Sequence, residues 1–212
     1  MSTRTVQSPD RATRGAWRER IGVIALAAGI VSIVAVYLAL NAATGGDDAV
    51  KRLLPYQTLA RTLPDADQRL FTAIRSGLLA AEAERARTSA WPDAPVLAAR
   101  GIAPFAASND TGGYQWTRFQ QGAITNYFGQ PRDPSAAAWL LEIQEPEPGM
   151  LPDPAPTDDE HHRLPDGTVL HIYVWMHRFG GQVPVGFTRQ PQVSGWVEVF
   201  AAPPDPAFYN RR

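Results

Sequence analysis

The chain has 212 residues, 44% of them hydrophobic, which is enough for one well-formed core and short for two independent domains. Its net charge of −1 conceals an asymmetry: residues 1–20 carry five arginines against Asp10 and Glu19, so the remainder sums to −4, which argues against nucleic-acid binding. The absence of cysteine excludes disulfides, thiolate metal sites and cysteine nucleophiles, so any metal must be held by nitrogen and oxygen.

Residues 21–40, IGVIALAAGIVSIVAVYLAL, contain no charge. At about 1.5 Å rise per residue the run spans roughly 30 Å, the hydrocarbon thickness of a bilayer, and predicts a transmembrane helix. A cleavable signal peptide would have an apolar stretch of only about 7–15 residues. Arg4, Arg11, Arg14, Arg18 and Arg20 crowd the N-terminal flank, whereas Lys51 and Arg52 alone lie near the other end. The positive-inside rule therefore makes residues 1–20 a cytoplasmic basic tail. In a bacterium this predicts a single-pass inner-membrane protein whose C-terminal domain is periplasmic.

Residues 41–63, opening with NAATGGDD, read as a juxtamembrane linker, and residues 64–212 as a periplasmic α+β domain. A helix is expected from Pro64, with acids in its first turn and Arg in its last, ending before Pro92. Its apolar positions Leu70, Phe71, Ile74, Leu78, Leu79 and Ala81 follow helical spacing. Strands are expected at Tyr114–Phe119, Ala123–Phe128, Ala137–Ile143, Val169–His177 and Gly195–Phe200, each rich in aromatic and β-branched residues. Short connections between them imply an antiparallel sheet. Residues 145–160, EPEPGMLPDPAPTDDE, form an acidic, proline-rich loop. The predicted fold class is thus α+β: a transmembrane helix, an amphipathic helix, then an antiparallel β-sheet. That layout resembles pilins and pseudopilins, although the processing motif those proteins carry before the apolar run is replaced here by Arg18-Glu19-Arg20-Ile21.

All four histidines fall between positions 161 and 177. In RLPDGTV the order Leu164-Pro165-Asp166-Gly167-Thr168 suits a type I turn closed by a glycine bulge, which pairs Leu164 with Thr168 and brings His161 opposite His171. A two-residue turn at Asp166-Gly167 would instead pair His162 with His171. Facing Cβ atoms on an antiparallel pair lie about 4.5–5.5 Å apart, close enough for two imidazoles to share one ion. Asp159 in the first register, or Glu160 in the second, adds a carboxylate on the same face. Leu170, Ile172, Val174 and Met176 form an aliphatic stripe suited to the core, leaving His171, Tyr173, Trp175 and His177 on the other face. His177 lies about 20 Å along the strand from His171 and joins the same ion only if the chain bends. The candidate metal ligands are therefore His161, His162, His171, Asp159, Glu160 and His177, with Zn²⁺ the expected ion and copper second. No HExxH, G-x-S-x-G or P-loop occurs, and no enzymatic activity is expected.

The N-terminal anchor, Ser89-Ala90-Trp91-Pro92, GIAPFA (101–106), YQW (114–116), WLLEIQEP (139–146) and the histidine-bearing strand together resemble an uncharacterised family of small single-span exported bacterial proteins encoded beside zinc- and manganese-type ABC transporters. The resemblance implies a metal-uptake context, with a metal ABC transporter or its solute-binding protein as partner, besides the membrane itself through residues 21–40. The expected function is an inner-membrane-anchored periplasmic accessory of zinc acquisition. The alternative is a structural or assembly component of an envelope complex, pseudopilin-like in layout and without metal.

Overall fold

The computed structural model describes residues 29–36, 53–107, 113–147, 149, 159–183 and 185–203. The chain divides into two compact units, Met1–Arg52 and Leu53–Arg212. In the first, residues 29–36 are helical (α1), and Ile30, Val31, Ile33, Val34 and Val36 are all exposed. The expected cytoplasmic tail, the other residues of the 21–40 run and residues 41–52 of the linker lie outside the described residues. Among the described residues no helix is long and apolar enough to cross a membrane.

The second unit is mixed α and β. Its elements are β1 (Gln57–Leu59), a 3₁₀ turn (Ala60–Thr62), α2 (Asp65–Thr88), α3 (Ala94–Ala99), β2 (Tyr114–Gln121), β3 (Ile124–Pro131), β4 (Ala138–Gln144), β5 (His161–Arg163), β6 (Val169–His177) and β7 (Val197–Phe200). Among the described residues the strands form one seven-stranded sheet in the order β1-β7-β6-β4-β3-β2, with β5 added on β6. The sheet departs from the expected all-antiparallel arrangement at one edge, where β1 runs parallel to β7. This strand comes from the stretch expected to be linker, and a three-residue strand carries no periodicity that would reveal it.

Helix α2 forms where the pattern places it, with Asp65 and Asp67 in its first turn and Arg85 and Arg87 in its last, each complementing the helix dipole. It stops at Thr88, ahead of Pro92, because Ser89 adopts the left-handed conformation and its N–H caps the Arg85 carbonyl. Leu70, Phe71, Ile74, Leu78 and Ala81 are buried, spaced three and four residues apart. Leu79 is the exception: one residue on from Leu78, it is turned about 100° off the buried stripe and is 59% exposed.

One face of the sheet receives α2. Tyr127, Trp139, Leu141, Ile143, Leu170, Ile172, Val174 and Met176 pack with Leu70, Ile74 and Leu78 in the main core, so the aliphatic stripe of β6 faces the helix as expected. The opposite face holds a smaller cluster, Phe128, Ala138, Leu140, Trp175 and Trp196, with Tyr56 and Tyr173 packed against it. Much of its cover comes from the irregular chain between β6 and β7, including the 3₁₀ turn Pro191–Ser194.

Candidate functional site on the second face of the sheet

The β5–β6 hairpin settles the choice between the two registers. The Leu164 N–H donates to the Thr168 carbonyl (2.9 Å), the Gly167 N–H donates to the Leu164 carbonyl (2.9 Å), and Gly167 has φ +90°, the left-handed position that closes the bulge. Asp166 Oδ1 accepts from the Thr168 N–H at 2.9 Å. Pairing then runs Arg163 with Val169, His162 with Leu170 and His161 with His171.

The two opposed imidazoles of His161 and His171 have ring centroids 4.9 Å apart and planes at 78°. This edge-to-face geometry brings the two rings into contact; a shared ion would take one nitrogen from each ring at about 2.0–2.1 Å. The other expected ligands go elsewhere. His162 faces the core side of the strand, its Nδ1 2.5 Å from Glu82 Oε1 on α2. Asp159 pairs with Arg75, also on α2. Glu160 offers its backbone carbonyl to the Ile172 N–H at 2.8 Å. His177, at the far end of β6, packs against Trp196 (5.6 Å) and Phe179 (6.4 Å) and accepts from the Phe179 N–H through Nδ1. Thus the fold brings two of the six candidates together, and among the described residues no cluster of three or more histidines and acids could hold a metal ion.

The same face carries a feature that strand reading misses. Glu142, on β4, is 1% exposed, and the cross-strand register places it beside Asn126 on β3 and Tyr173 on β6. Its carboxylate accepts from Gln144 Nε2 (2.7 Å) and Trp175 Nε1 (3.1 Å), both neutral donors. Burial pushes the Glu142 carboxyl up to about 7; the two donors oppose the rise and the nearby Glu198 charge adds to it. Glu198 is itself 2% exposed and accepts from Gln57 Nε2 at 2.9 Å.

A cavity of about 130 Å³ opens beside Glu142, bordered by Tyr56, Gln144, Tyr173, Trp175 and Arg189. Arg189 reaches it because the preceding residue is tethered: the Thr188 N–H donates to Oδ1 of the fully buried Asn126 at 3.0 Å. The arrangement therefore has a carboxylate at the floor, aromatic rings at the sides and an exposed guanidinium at the rim. The one signal for it in the sequence is an acid inside the otherwise apolar run WLLEI.

Residues 57–203, from the first residue of β1 to just beyond β7, match the model of a family described as "Family of unknown function (DUF6162)". No curated protein and no solved structure matches the chain.

Proposed function

We propose that the chain, which belongs to that family of unknown function, is a membrane-anchored periplasmic accessory of transition-metal acquisition that holds zinc, or secondarily copper, between His161 and His171. The observation that carries this reading is the cross-strand imidazole pair, 4.9 Å between centroids, on a hairpin whose register is fixed by its turn. Imidazole nitrogen suits both ions. Two protein ligands leave the other positions of a tetrahedral ion to water or to a partner's side chain. Such an open pair favours exchange over storage, which fits a protein passing metal to a transporter or its solute-binding protein. The uncharged run 21–40, together with the outward-facing apolar side chains of α1, supports anchoring in the bilayer.

Calorimetric titration of the full chain in mild detergent with Zn²⁺ tests the reading. One saturable ion per chain is expected, lost in both His161→Ala and His171→Ala. His162→Ala and His177→Ala should leave affinity unchanged, because those rings are engaged with Glu82 and Trp196. Absence of saturable uptake, or equal weakening by His162→Ala, discards the site.

One observation favours the envelope-assembly alternative: Phe179, Val185 and Val193 are 62%, 52% and 76% exposed along the segment between β6 and β7. Exposed apolar side chains gathered on one segment are a feature of interaction surfaces. Stoichiometric envelope proteins co-purifying in mild detergent without metal would establish that reading in place of the first.

A further inference from the structure

The cavity beside Glu142 adjoins the histidine pair, since Gln144 of its lining lies opposite His171 in the register, but its chemistry differs. At about 130 Å³ it is smaller than the roughly 300–1,000 Å³ of sites for drug-sized ligands, so its occupant is a small molecule. Its floor is a buried carboxylate that, among the described residues, receives neutral hydrogen bonds, from an amide and an indole. An ionised carboxylate in such surroundings is uncompensated, and a cation brought to it supplies the missing opposite charge. Tyr56, Tyr173 and Trp175 border the same space, and aromatic side chains around an acid form the surroundings in which organic ammonium groups are recognised. At the rim the charge reverses. Arg189 is exposed and presents a guanidinium, whose planar fork matches a carboxylate. A negative floor and a positive rim, across so small a space, complement a molecule with the opposite charge at each end.

We propose that this cavity binds a small organic zwitterion, its ammonium end against the Glu142 carboxylate among Trp175, Tyr173 and Tyr56, and its carboxylate end under the Arg189 guanidinium. Neutral Gln144, hydrogen-bonded to Glu142, holds the carboxylate in place without cancelling its charge. The buried Asn126, through its hydrogen bond to the Thr188 N–H, is the positioning residue that brings Arg189 to the mouth.

The experiment is calorimetric titration of the full chain in mild detergent at about pH 8, above the value near 7 at which Glu142 ionises, with a chelator present so that metal plays no part. Three probes are used: glycine betaine, which carries both charges, tetramethylammonium, which carries the cation alone, and acetate, which carries the anion alone. Glycine betaine should bind saturably, one per chain, and at least about tenfold more tightly than tetramethylammonium, with acetate weaker still. Glu142→Gln, which keeps the side-chain volume, should remove the binding of both cations. Arg189→Gln, at an exposed position where folding is safe, should weaken glycine betaine about tenfold and leave tetramethylammonium unchanged. Lack of saturation with glycine betaine, or affinities indifferent to Arg189→Gln, overturns the proposal even if Glu142→Gln fails to fold.

Discussion

Glu142 and Glu84 are both buried acids, and their environments set opposite pH dependences. Glu84 accepts from Arg87 and Arg100, and those hydrogen bonds hold its carboxyl down to about 2. Its contribution to stability is therefore present above the ordinary value of 4.5 and is lost as pH falls toward 2. Glu142 has neutral donors and a carboxylate neighbour, and burial raises it to about 7. Between pH 4.5 and 7 the folded chain holds a proton that the unfolded chain has released, so stability falls as pH rises through that window. At 1.36 kcal/mol per unit the loss is on the order of 3 kcal/mol. Glu142→Gln carries no proton to release. Its unfolding midpoint should therefore rise relative to the parent's between about pH 5 and pH 8, measured by thermal denaturation without added ligand. Parallel midpoints across that range would show that Glu142 is not the group responsible.

At the scale of elements, what the sequence discloses depends on whether the signal is local. The aliphatic alternation of β6 and the three-and-four spacing of α2 are local patterns, and both elements form within a few residues of their expected bounds. The LPDGT turn is likewise local, and it fixes which histidine meets His171. The partners of His162 and Asp159 are not local: Glu82 and Arg75 sit about two helical turns apart from each other on α2, roughly 80 residues upstream of the hairpin, and nothing in the DDEHH string announces them. Glu142 escaped for a related reason. Alternation assigns it to the face away from α2 but cannot reveal that the chain before β7 covers that face. The turn also yields a test. Gly167 has φ +90°, so Gly167→Ala introduces strain of about 1 kcal/mol or more, whereas Gly167→Asn costs less because asparagine tolerates the left-handed region. Urea unfolding should rank the parent above Asn above Ala, and Zn²⁺ affinity should follow the same order if the turn is what holds His161 against His171. Equal stability of the alanine and asparagine variants would mean that the bulge does not enforce the register.

For the molecule as a whole, the question is where the independently folding unit begins. The family match starts at Gln57 and the compact unit at Leu53, both inside the stretch whose composition reads as linker. The reason is physical. β1 pairs in parallel with β7 and covers its outer edge; Leu59 is 1% exposed; the Tyr56 carbonyl accepts from the Glu198 N–H at 2.7 Å; and the Gln57 amide donates to the buried Glu198 carboxylate. Removing β1 would expose the Leu59 site, worth roughly 2–3 kcal/mol of lost burial, and would also take from Glu198 the hydrogen bond of the Gln57 amide, adding about 1 kcal/mol. It would leave β7, only four residues long, with pairing on one side alone. A chain starting at residue 51 should therefore unfold cooperatively with the same denaturant midpoint as the full chain, while one starting at residue 61 should lose several kcal/mol or fail to fold. Because Tyr56 also borders the cavity, the shorter chain should lose glycine betaine binding even under conditions where it remains folded, whereas the β5–β6 hairpin, which shares no pairing with β1, should keep its Zn²⁺ affinity. Equal stability of the two truncations would return residues 53–60 to the role of a tether and remove the support this edge gives to both Glu198 and the cavity wall.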